Sequence, residues 1–393
     1  MIIVMTNIKD TLKKNTMLIA LVVVMLLFQV LILANGKGSL FDPGNITNLI
    51  LQNSYVVILA TGMLLCILTG GNVDLSVGSI VVLVGAMAGT LIVNMKMNIY
   101  ISILLCLLIG TAIGAWQGFW IAFVRIPPFI VTLAGMMLWR GLAQVILYGL
   151  TISPFPEDYL KYFTSFLPGE SSNPLLFSII IGIVVCLVYT TIQIIQRIQR
   201  KRKGYEISFL PLFILKIVLL CAVIMVISYL LGEHKGIPVV LILIAAVVLI
   251  YGYYTSNTVP GRYLYAMGGN EKAAKLSGIN TNSVLFFAYT NMGFLSAVAA
   301  LVCCARFNSA SPSAGTGYEL DAIGSCFIGG ASAYGGTGTV GGAVIGAIFM
   351  GVLNNGMSIL GIDANWQKAV KGIVLLAAVV FDVLSKKQQN AKK

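Results

Sequence analysis

The side chains that enzymes most often use for catalysis or metal binding are scarce in this sequence. His234 is the one histidine, and the seven cysteines stand in or at the ends of apolar runs without the spacing of a metal site. This composition excludes a histidine-based catalytic triad and a site with several histidine ligands. We therefore expect no catalytic residue and no metal or other cofactor in this chain. The cysteines are expected to behave as small buried hydrophobic residues.

Two glycine patterns bear on nucleotide binding, and neither places a nucleotide on this chain. Residues 336–341, GTGTVG, match G-x-G-x-x-G, but apolar helices flank them instead of the strand and helix of a dinucleotide-binding unit. A G-x-x-x-x-G-K-[ST] phosphate loop does not occur in the sequence. If the protein does ATP-driven work, ATP and Mg²⁺ must be bound by another polypeptide.

Polar side chains inside the apolar segments are the candidates for a solute path. Polar groups at membrane depth are often functional, and hydrogen bonding between helices explains such groups about equally well. Asp74 is also a candidate helix N-cap, which we favour over a path role because aspartate is a common cap. The path candidates are Asn53, Asn72, Asp74, Ser76, Ser79, Asn308, Asp321, Asn354 and Asn355.

The composition indicates an all-α, polytopic membrane protein. Of the 393 residues, 58% are hydrophobic and 10% are charged, whereas soluble domains carry about 25% charged residues. The apolar runs do not alternate like barrel strands, and a helix needs roughly 20 residues to cross the hydrocarbon. The runs predict about 10–12 transmembrane helices, some of them broken, in a single transmembrane domain over residues 1–393. The twelve segments are 17–34, 46–69, 76–95, 99–124, 129–150, 174–195, 211–232, 236–254, 284–305, 320–335, 338–360 and 366–384.

The distribution of the charges predicts that both termini are cytoplasmic. Three lysines between positions 9 and 14 precede the first segment, and alternation places the basic loop 197–203 and the C-terminal lysines on the same side. The net charge of +12 therefore follows the positive-inside pattern and does not indicate nucleic-acid binding. We interpret 1–34 as a retained first helix because its apolar run, about 18 residues, is longer than that of a signal peptide.

Two glycine-rich regions resemble each other and mark interrupted helices. Residues 77–79, VGS, are followed by Gly89, and residues 323–325, IGS, are followed by Gly335 at the same offset. Repeated halves with interrupted helices recur among transporters, so the match indicates either an internal repeat or a chance similarity. The second region lies in the short segment 320–335. We expect this segment to cross as a broken helix, because a re-entrant one would place the C-terminal lysines outside.

The most informative loop is 261–283, GRYLYAMGGNEKAAKLSGINTNS, which alternation places in the cytoplasm. Asn270 is a good N-cap, Glu271 stands in the first turn, and Gly278 suits the position after a helix end. The spacing therefore predicts a two-turn helix over 270–277. Such a helix can dock into a groove on a soluble partner or can lie on lipid headgroups as an amphipathic connector, and spacing alone leaves both readings open.

Several long motifs, in the same order, resemble those of the ribose/xylose/galactose-type ABC permeases, a family whose wider membership includes branched-chain amino acid permeases. The loop just described, taken as 255–283, resembles the family's cytoplasmic coupling loop. The other matching stretches are GGNVDLSVGSIVVLVGAMAG (70–89), PFIVTLAGMMLWRGLA (128–143), AGTGYELDAIGSCFIGGASAYGG (314–336) and GVLNNG (351–356).

A helix pair inserted at 174–232 refines the resemblance. Ribose-type permeases are shorter and lack this pair, whereas xylose and multiple-monosaccharide permeases carry such an insertion. The C-terminal stretch GIDANWQKAVKGIVLLAAVVFDVLSKK is most similar to the multiple-monosaccharide type. The resemblance therefore points to the xylose or multiple-monosaccharide branch of the family.

The resemblance implies a permease subunit of an ATP-driven monosaccharide (pentose or hexose) importer in the bacterial plasma (inner) membrane, and not an enzyme. It implies an ABC ATPase that binds ATP and Mg²⁺, an extracytoplasmic sugar-binding protein, and a second permease copy in a homodimer surrounded by membrane lipid. The alternative from another class is an ion-coupled secondary transporter of a small polar solute. The residues implied in coupling to the ATPase are Gly269, Asn270, Glu271, Ala273, Ala274 and Gly278.

Overall fold

A computed structural model of the protein describes residues 16–169, 173–205 and 209–390. Helices make up most of these ranges, because a segment in lipid must satisfy its backbone N–H and C=O groups internally. Ten helices in the described ranges are long and apolar enough to cross a membrane, which confirms an all-α, multi-pass fold. The lysines at positions 9–14, on which the topology prediction depends, lie outside the described residues, and the cytoplasmic orientation of the termini stays a prediction.

Fifteen helices and two short strands are named here in chain order. They are α1 Thr16–Ala34, α2 Pro43–Leu68, α3 Val77–Ala88 with a π-helical extension Gly89–Asn94, α4 Ile99–Ala122, α5 Pro128–Leu147, α6 Glu157–Thr164, β1 Phe166–Leu167, α7 Pro174–Arg202, α8 Leu210–His234, β2 Ile237–Pro238, α9 Val239–Asn257, α10 Val259–Gly269, α11 Glu271–Leu276, α12 Thr281–Phe307, α13 Tyr318–Ile328, α14 Val340–Ile359 and α15 Ala364–Asn390. The short helices α6, α10, α11 and α13, and the more polar α15, are not among the ten candidate spans.

The centre of the bundle is formed by α2 and α12, which run antiparallel. In α2, 83% of the most apolar window is buried, and in α12 72%, whereas none of that window in α8 is buried. Gly62 of α2 faces Met292 and Leu295 of α12, and the Cys66 thiol lies 3.7 Å from the carbonyl oxygen of Ala288. The central helices are therefore enclosed by protein, while the outer helices keep apolar faces for lipid.

Glycines bring α4 and α12 into backbone contact. A Cβ atom added to Gly110 would lie 2.7 Å from the Gly293 carbonyl oxygen, and one added to Gly293 would lie 2.3 Å from the Gly110 carbonyl oxygen. One turn along α4, a Cβ atom on Gly114 would lie 2.5 Å from the carbonyl oxygen of Tyr289. Small residues at such positions allow close helix packing where lipid supplies no hydrophobic force between helices.

The two halves of the protein share a pairing scheme. In the first half α3 packs on α5 and α4 lies along α12, and in the second half α13 packs on α15 and α14 lies along α2. Since α2 and α12 run in opposite directions, the halves are arranged as an inverted pair. The similar sequences at 77–79 and 323–325 stand in the corresponding helices α3 and α13, which supports the internal-repeat reading.

Segment 320–335 is not one continuous helix. Its helix, α13, has 11 residues and ends at Ile328, and an irregular stretch follows as far as Thr339. Gly330, Gly335 and Gly336 adopt positive φ angles, which side-chain-bearing residues rarely do, and this ends the helix. The predicted break is thus confirmed, and α13 by itself is too short to span the hydrocarbon.

The predicted inserted pair, 174–232, forms the hairpin of α7 and α8. The two helices pack mainly on each other, with Gly182 against Ser228 and Gly232 against Leu175, and α8 also contacts α2. At the base of the hairpin, β1 pairs antiparallel with β2. The hairpin is therefore attached along one side of the bundle.

We expect a larger side chain at Gly293 to destabilise the protein. Gly293→Ala places its Cβ atom 2.3 Å from a backbone oxygen of α4, and such overpacking costs about 1–3 kcal/mol. Thermal unfolding of the purified protein in detergent measures the effect. Gly252→Ala in α9 is the control, because its Cβ atom meets no other atom within 4 Å. Equal midpoints for the two variants would contradict the packing described here.

Candidate coupling site and polar path

The predicted coupling loop, 255–283, is folded as two short helices. Residues 255–257 end α9, α10 and α11 follow, and α12 begins at Thr281. The predicted two-turn helix is α11, and its N-cap is Asn270, whose side-chain oxygen accepts a hydrogen bond of 3.0 Å from Ala273 N. We had not anticipated α10, although Thr258 and the proline at 260 are a helix-start signal, and the Thr258 hydroxyl accepts from Gly261 N.

Arg125, just after α4, connects the first residue of α11 to the start of α12. Its guanidinium donates to Glu271 Oε1 at 2.6 Å, to Thr281 Oγ1 at 3.1 Å and to the side-chain oxygen of Asn282. The ion pair is about 40% exposed on both side chains, so it contributes little free energy and mainly fixes the orientation of α11.

The residues predicted to contact an ATPase do not all face outward. Ala274 is buried against the protein, with 5% of its surface exposed, so it supports α11 from beneath instead of offering a contact surface. Leu276, which the prediction missed, is 91% exposed and projects from an otherwise polar helix. Gly278 adopts a φ of +84° and ends the helix as predicted. The exposed members of the predicted set are Gly269, Asn270, Glu271, Ala273 and Gly278.

Backbone contacts connect α10 to the end of α2 and to the non-helical segment 329–339. We call 329–339 and the non-helical segment 69–76, which directly follows α2, the two interrupted segments. The Gly336 N–H donates to the Leu68 carbonyl oxygen at 3.1 Å. A Cβ atom on Gly268 would lie 1.9 Å from that same oxygen and 2.4 Å from Gly336 N. The backbone of α10 therefore touches both the end of α2 and the loop before α14.

The contact between the two interrupted segments is equally close. A Cβ atom on Gly71 would lie 2.0 Å from the Ala333 carbonyl oxygen, and one on Gly335 would lie 2.5 Å from Gly70 Cα. We call Gly70, Gly71, Gly268, Gly335 and Gly336, with the Leu68 carbonyl, the glycine junction.

A tyrosine at the edge of the junction adds one side-chain contact. The Tyr265 hydroxyl donates to the Gly338 carbonyl oxygen at 3.0 Å. Burial raises the pKa of the Tyr265 phenol, so the phenol keeps the proton that it donates. This hydrogen bond ties α10 to the loop before α14 a second time.

Asp74 stabilises the turn before α3 and is not its N-cap. The helix begins at Val77 with Ser76 as N-cap, and Asp74 Oδ1 accepts from Ser76 N at 2.8 Å and from Ser76 Oγ at 2.6 Å. The Gln117 amide satisfies its neighbours when its nitrogen faces Asp74 Oδ2 at 3.3 Å and its oxygen accepts from Trp139 Nε1 at 3.0 Å. This network fixes segment 69–76 to α4 and α5. The expectation that Asp74 is an N-cap is therefore wrong. Ser76 occupies the cap position, and Asp74 stabilises the buried turn before it.

Asp321 forms a buried ion pair with Lys371 of α15. The Lys371 ammonium lies 2.9 Å from Asp321 Oδ1, and the Tyr55 hydroxyl donates to Oδ2 at 3.3 Å. Tyr55 in turn stacks on Tyr318, with ring centroids 3.9 Å apart. The sequence analysis missed Lys371 because it lies on a helix whose pattern indicated only a last membrane crossing. Loss of either charge would leave a buried unpaired ion, which is strongly destabilising.

Asparagines among the path candidates mostly connect helices. Asn53 donates to the Ala347 carbonyl oxygen at 2.7 Å, and Asn355 exchanges hydrogen bonds of 3.0 Å with Asn45. Asn308 accepts from Phe155 N at 2.8 Å.

The nine path candidates do not surround one open channel within the described residues. Asn308 is exposed, Asn72 is half-buried and donates to Thr69 Oγ1, and the other seven are buried. The path role of these residues stays a prediction. The buried seven are Asn53, Asp74, Ser76, Ser79, Asp321, Asn354 and Asn355.

The chain is similar over nearly its whole length to known transport proteins. The family described as branched-chain amino acid transport system / permease component matches residues 45–379. The xylose transport system permease protein XylH of Haemophilus influenzae is 37% identical over 372 residues, which cover 95% of this chain and 96% of that protein. No solved structure matches the chain.

Two relatives from Escherichia coli K12 extend the comparison. The XylH protein of that strain is 35% identical over 372 residues, covering 95% of this chain and 92% of the relative. The ribose import permease protein RbsC is 34% identical over 363 residues, covering 92% of each chain. Both relatives are permease proteins of sugar transport.

We expect the Asn270 cap to hold α11 in its helical form. Asn270→Ala removes the acceptor for Ala273 N, which typically costs about 1 kcal/mol and corresponds to roughly fivefold faster amide hydrogen exchange in residues 271–276. Exchange measured by mass spectrometry on the purified protein tests this. Asn270→Asp retains an acceptor and should exchange at the wild-type rate. Unchanged exchange in Asn270→Ala would show that the cap does not order the helix.

Proposed function

Since the chain belongs to the permease-component family of branched-chain amino acid transport systems, we propose that it is the membrane subunit of an ATP-driven importer of monosaccharides. The chain is a multi-pass membrane protein and not an enzyme. The relatives that span its full length carry xylose and ribose in their names, and this observation supports a pentose or related hexose as the solute. The proposal depends mainly on this similarity over nearly the full length of the chain. The capped helix α11, at the predicted cytoplasmic end, also supports it.

The proposed contact with an ABC ATPase is centred on α11. Leu276 is 91% exposed, and burial of its side chain in a partner's pocket would stabilise the complex by about 1.5–3 kcal/mol. Ala273 is small and exposed beside it, so a partner surface can approach the backbone of the helix. ATP and Mg²⁺ belong to the ATPase, whose conformational cycle would displace α11.

Coupling requires that the ATPase bind α11 differently in its ATP-bound and nucleotide-free states. A ligand shifts a conformational equilibrium only by its difference in affinity for the two conformations. The bundle must therefore have two arrangements that differ in the position of α11. Alternating exposure of the sugar path would follow from the change between them.

The remaining partners are an extracytoplasmic sugar-binding protein, a second permease copy and lipid of the bacterial plasma membrane. The binding protein would supply most of the selectivity for the sugar. The second copy would form a homodimer, with one coupling helix for each of two ATPase domains. Lipid contact is supported by the exposure of α7 and α8. In the most apolar stretch of each helix, 11% of the residues of α7 and none of those of α8 are buried.

The ion-coupled alternative is supported by neither the relatives nor the polar contacts. Asp321 is neutralised by Lys371, and Asp74 is engaged by Ser76 and Gln117. An ion-coupling carboxylate must exchange its partner during transport, and these two are enclosed by protein with 1% and 0% of their surfaces exposed.

We expect sugar uptake to depend on ATP and not on an ion gradient. Proteoliposomes would contain this chain with its ATPase, and the sugar-binding protein would be supplied outside with radiolabelled xylose or ribose. Uptake should require ATP in the lumen and should be unchanged by ionophores that collapse proton and sodium gradients. Liposomes without the ATPase are the control. Uptake driven by an imposed ion gradient without ATP would overturn the proposal.

Truncation of Leu276 should weaken binding of the ATPase. Burial of a leucine side chain is worth about 2 kcal/mol, so we expect Leu276→Ala to lower the affinity roughly 30-fold without changing the permease's thermal midpoint. Binding of purified ATPase to the permease in nanodiscs gives the affinity. Leu150→Ala is the matched control, since Leu150 is 69% exposed and follows α5 at its predicted external end. An equal effect of both variants would remove α11 from the interface.

A further inference from the structure

The glycine junction is a contact made by backbone alone among three separate stretches of chain. Gly268 at the end of α10, Leu68 at the end of α2 and Gly336 in the loop before α14 approach one another so closely that a single Cβ atom would overlap two of them. Close-packed contacts of this kind have no rotamers to relax and transmit small shifts instead of absorbing them. A displacement of α10 must therefore move both neighbours.

Ala274 packs α11 against the protein with a single methyl group, and the remaining connections of α11 are softer. The ion pair of Arg125 with Glu271 is partly exposed, and its long side chains can follow a movement without passing it on. On the opposite side, Gly278 at a φ of +84° separates α11 from α12. One residue, Asn270, separates α11 from α10. The stiffest route from α11 into the bundle is therefore through α10.

We propose that the glycine junction is the element that transmits movement of α11 to both interrupted segments at once. The proposal rests on the proposed function, because it takes the displacement of α11 by an ATPase as its input. Gly268 and Gly336 are then positioning residues: they touch neither the sugar nor the ATPase, and they act through the segments that they contact.

Each interrupted segment leads into a different half of the bundle. Segment 69–76 carries Asp74 and Ser76, whose network with Gln117 and Trp139 reaches α4 and α5. In segment 329–339, Ala333 N donates to Asp382 Oδ2 of α15 at 3.1 Å. A single input at Gly268 therefore reaches α3 to α5 through one segment and α13 to α15 through the other.

The adjacent glycines Gly268 and Gly269 provide a matched test. Both have ordinary φ angles, so alanine is allowed by the backbone at each position. A Cβ atom on Gly268 would overlap the Leu68 oxygen, whereas one on Gly269 meets no atom within 4 Å. Both variants exchange one glycine for alanine. Only Gly268→Ala forces the junction apart.

The experiment uses the complete importer in proteoliposomes, with this chain, its ATPase and the external binding protein. We expect Gly268→Ala to lower the number of sugar molecules imported per ATP by roughly 2- to 30-fold, the range seen for residues that carry coupling between sites. ATPase binding and basal ATP hydrolysis should stay at wild-type levels. Gly269→Ala should import with the wild-type ratio.

A second variant covers the case in which Gly268→Ala does not fold. Tyr265→Phe inserts no atom and removes the hydroxyl that donates to the Gly338 oxygen, so it should lower the same ratio by a smaller factor. A wild-type ratio in a folded Gly268→Ala, or in Tyr265→Phe where the former does not fold, would overturn the junction's role. If the wild-type system imports sugar without ATP, the proposed function itself is wrong, which is a separate outcome.

Discussion

Non-helical backbone at membrane depth must find its hydrogen-bond partners within the protein, and this constraint organises the structure. Segments 69–76 and 329–339 interrupt otherwise helical halves, and lipid offers their N–H and C=O groups nothing. The protein places these segments against each other and against the ends of α2 and α10, where Gly336 donates to the Leu68 oxygen. The long helices α2 and α12 enclose the region, and 83% and 72% of their most apolar stretches are buried.

Glycine is the residue that makes this arrangement possible. Side chains would separate the segments by several ångströms and leave backbone groups unsatisfied, whereas glycines let carbonyl and amide groups meet directly. The same solution joins α4 to α12 through Gly110 and Gly293. The packing of α4 on α12 and the packing at the glycine junction therefore depend on the same property of glycine, the absence of a side chain. The predicted importer would depend on both.

The sequence predicted those parts of the structure that depend on local patterns. Hydropathy located the membrane helices, and the cap and end signals of Asn270 and Gly278 located α11. Contacts between distant residues had no local signal: Lys371 is 50 positions from Asp321, and Arg125 is 146 positions from Glu271. The glycines of segment 320–335 predicted that its helix is broken, but the residue at which α13 ends, Ile328, depends on positive φ angles that follow it. Glycine-rich stretches predicted that helices are interrupted there, but they did not predict which of the interrupted segments contact each other.

The short pairing of β1 with β2 has a consequence for how such proteins vary in length. Phe166 and Leu167 lie beside Pro238 and Ile237, so the chain leaves the bundle for the α7–α8 hairpin and returns to almost the same point. A gene that lost the intervening codons would need only a tight turn to reconnect the polypeptide. Shorter and longer members of one lineage can therefore share the same interior and differ only by the presence of this pair of helices at the side of the bundle.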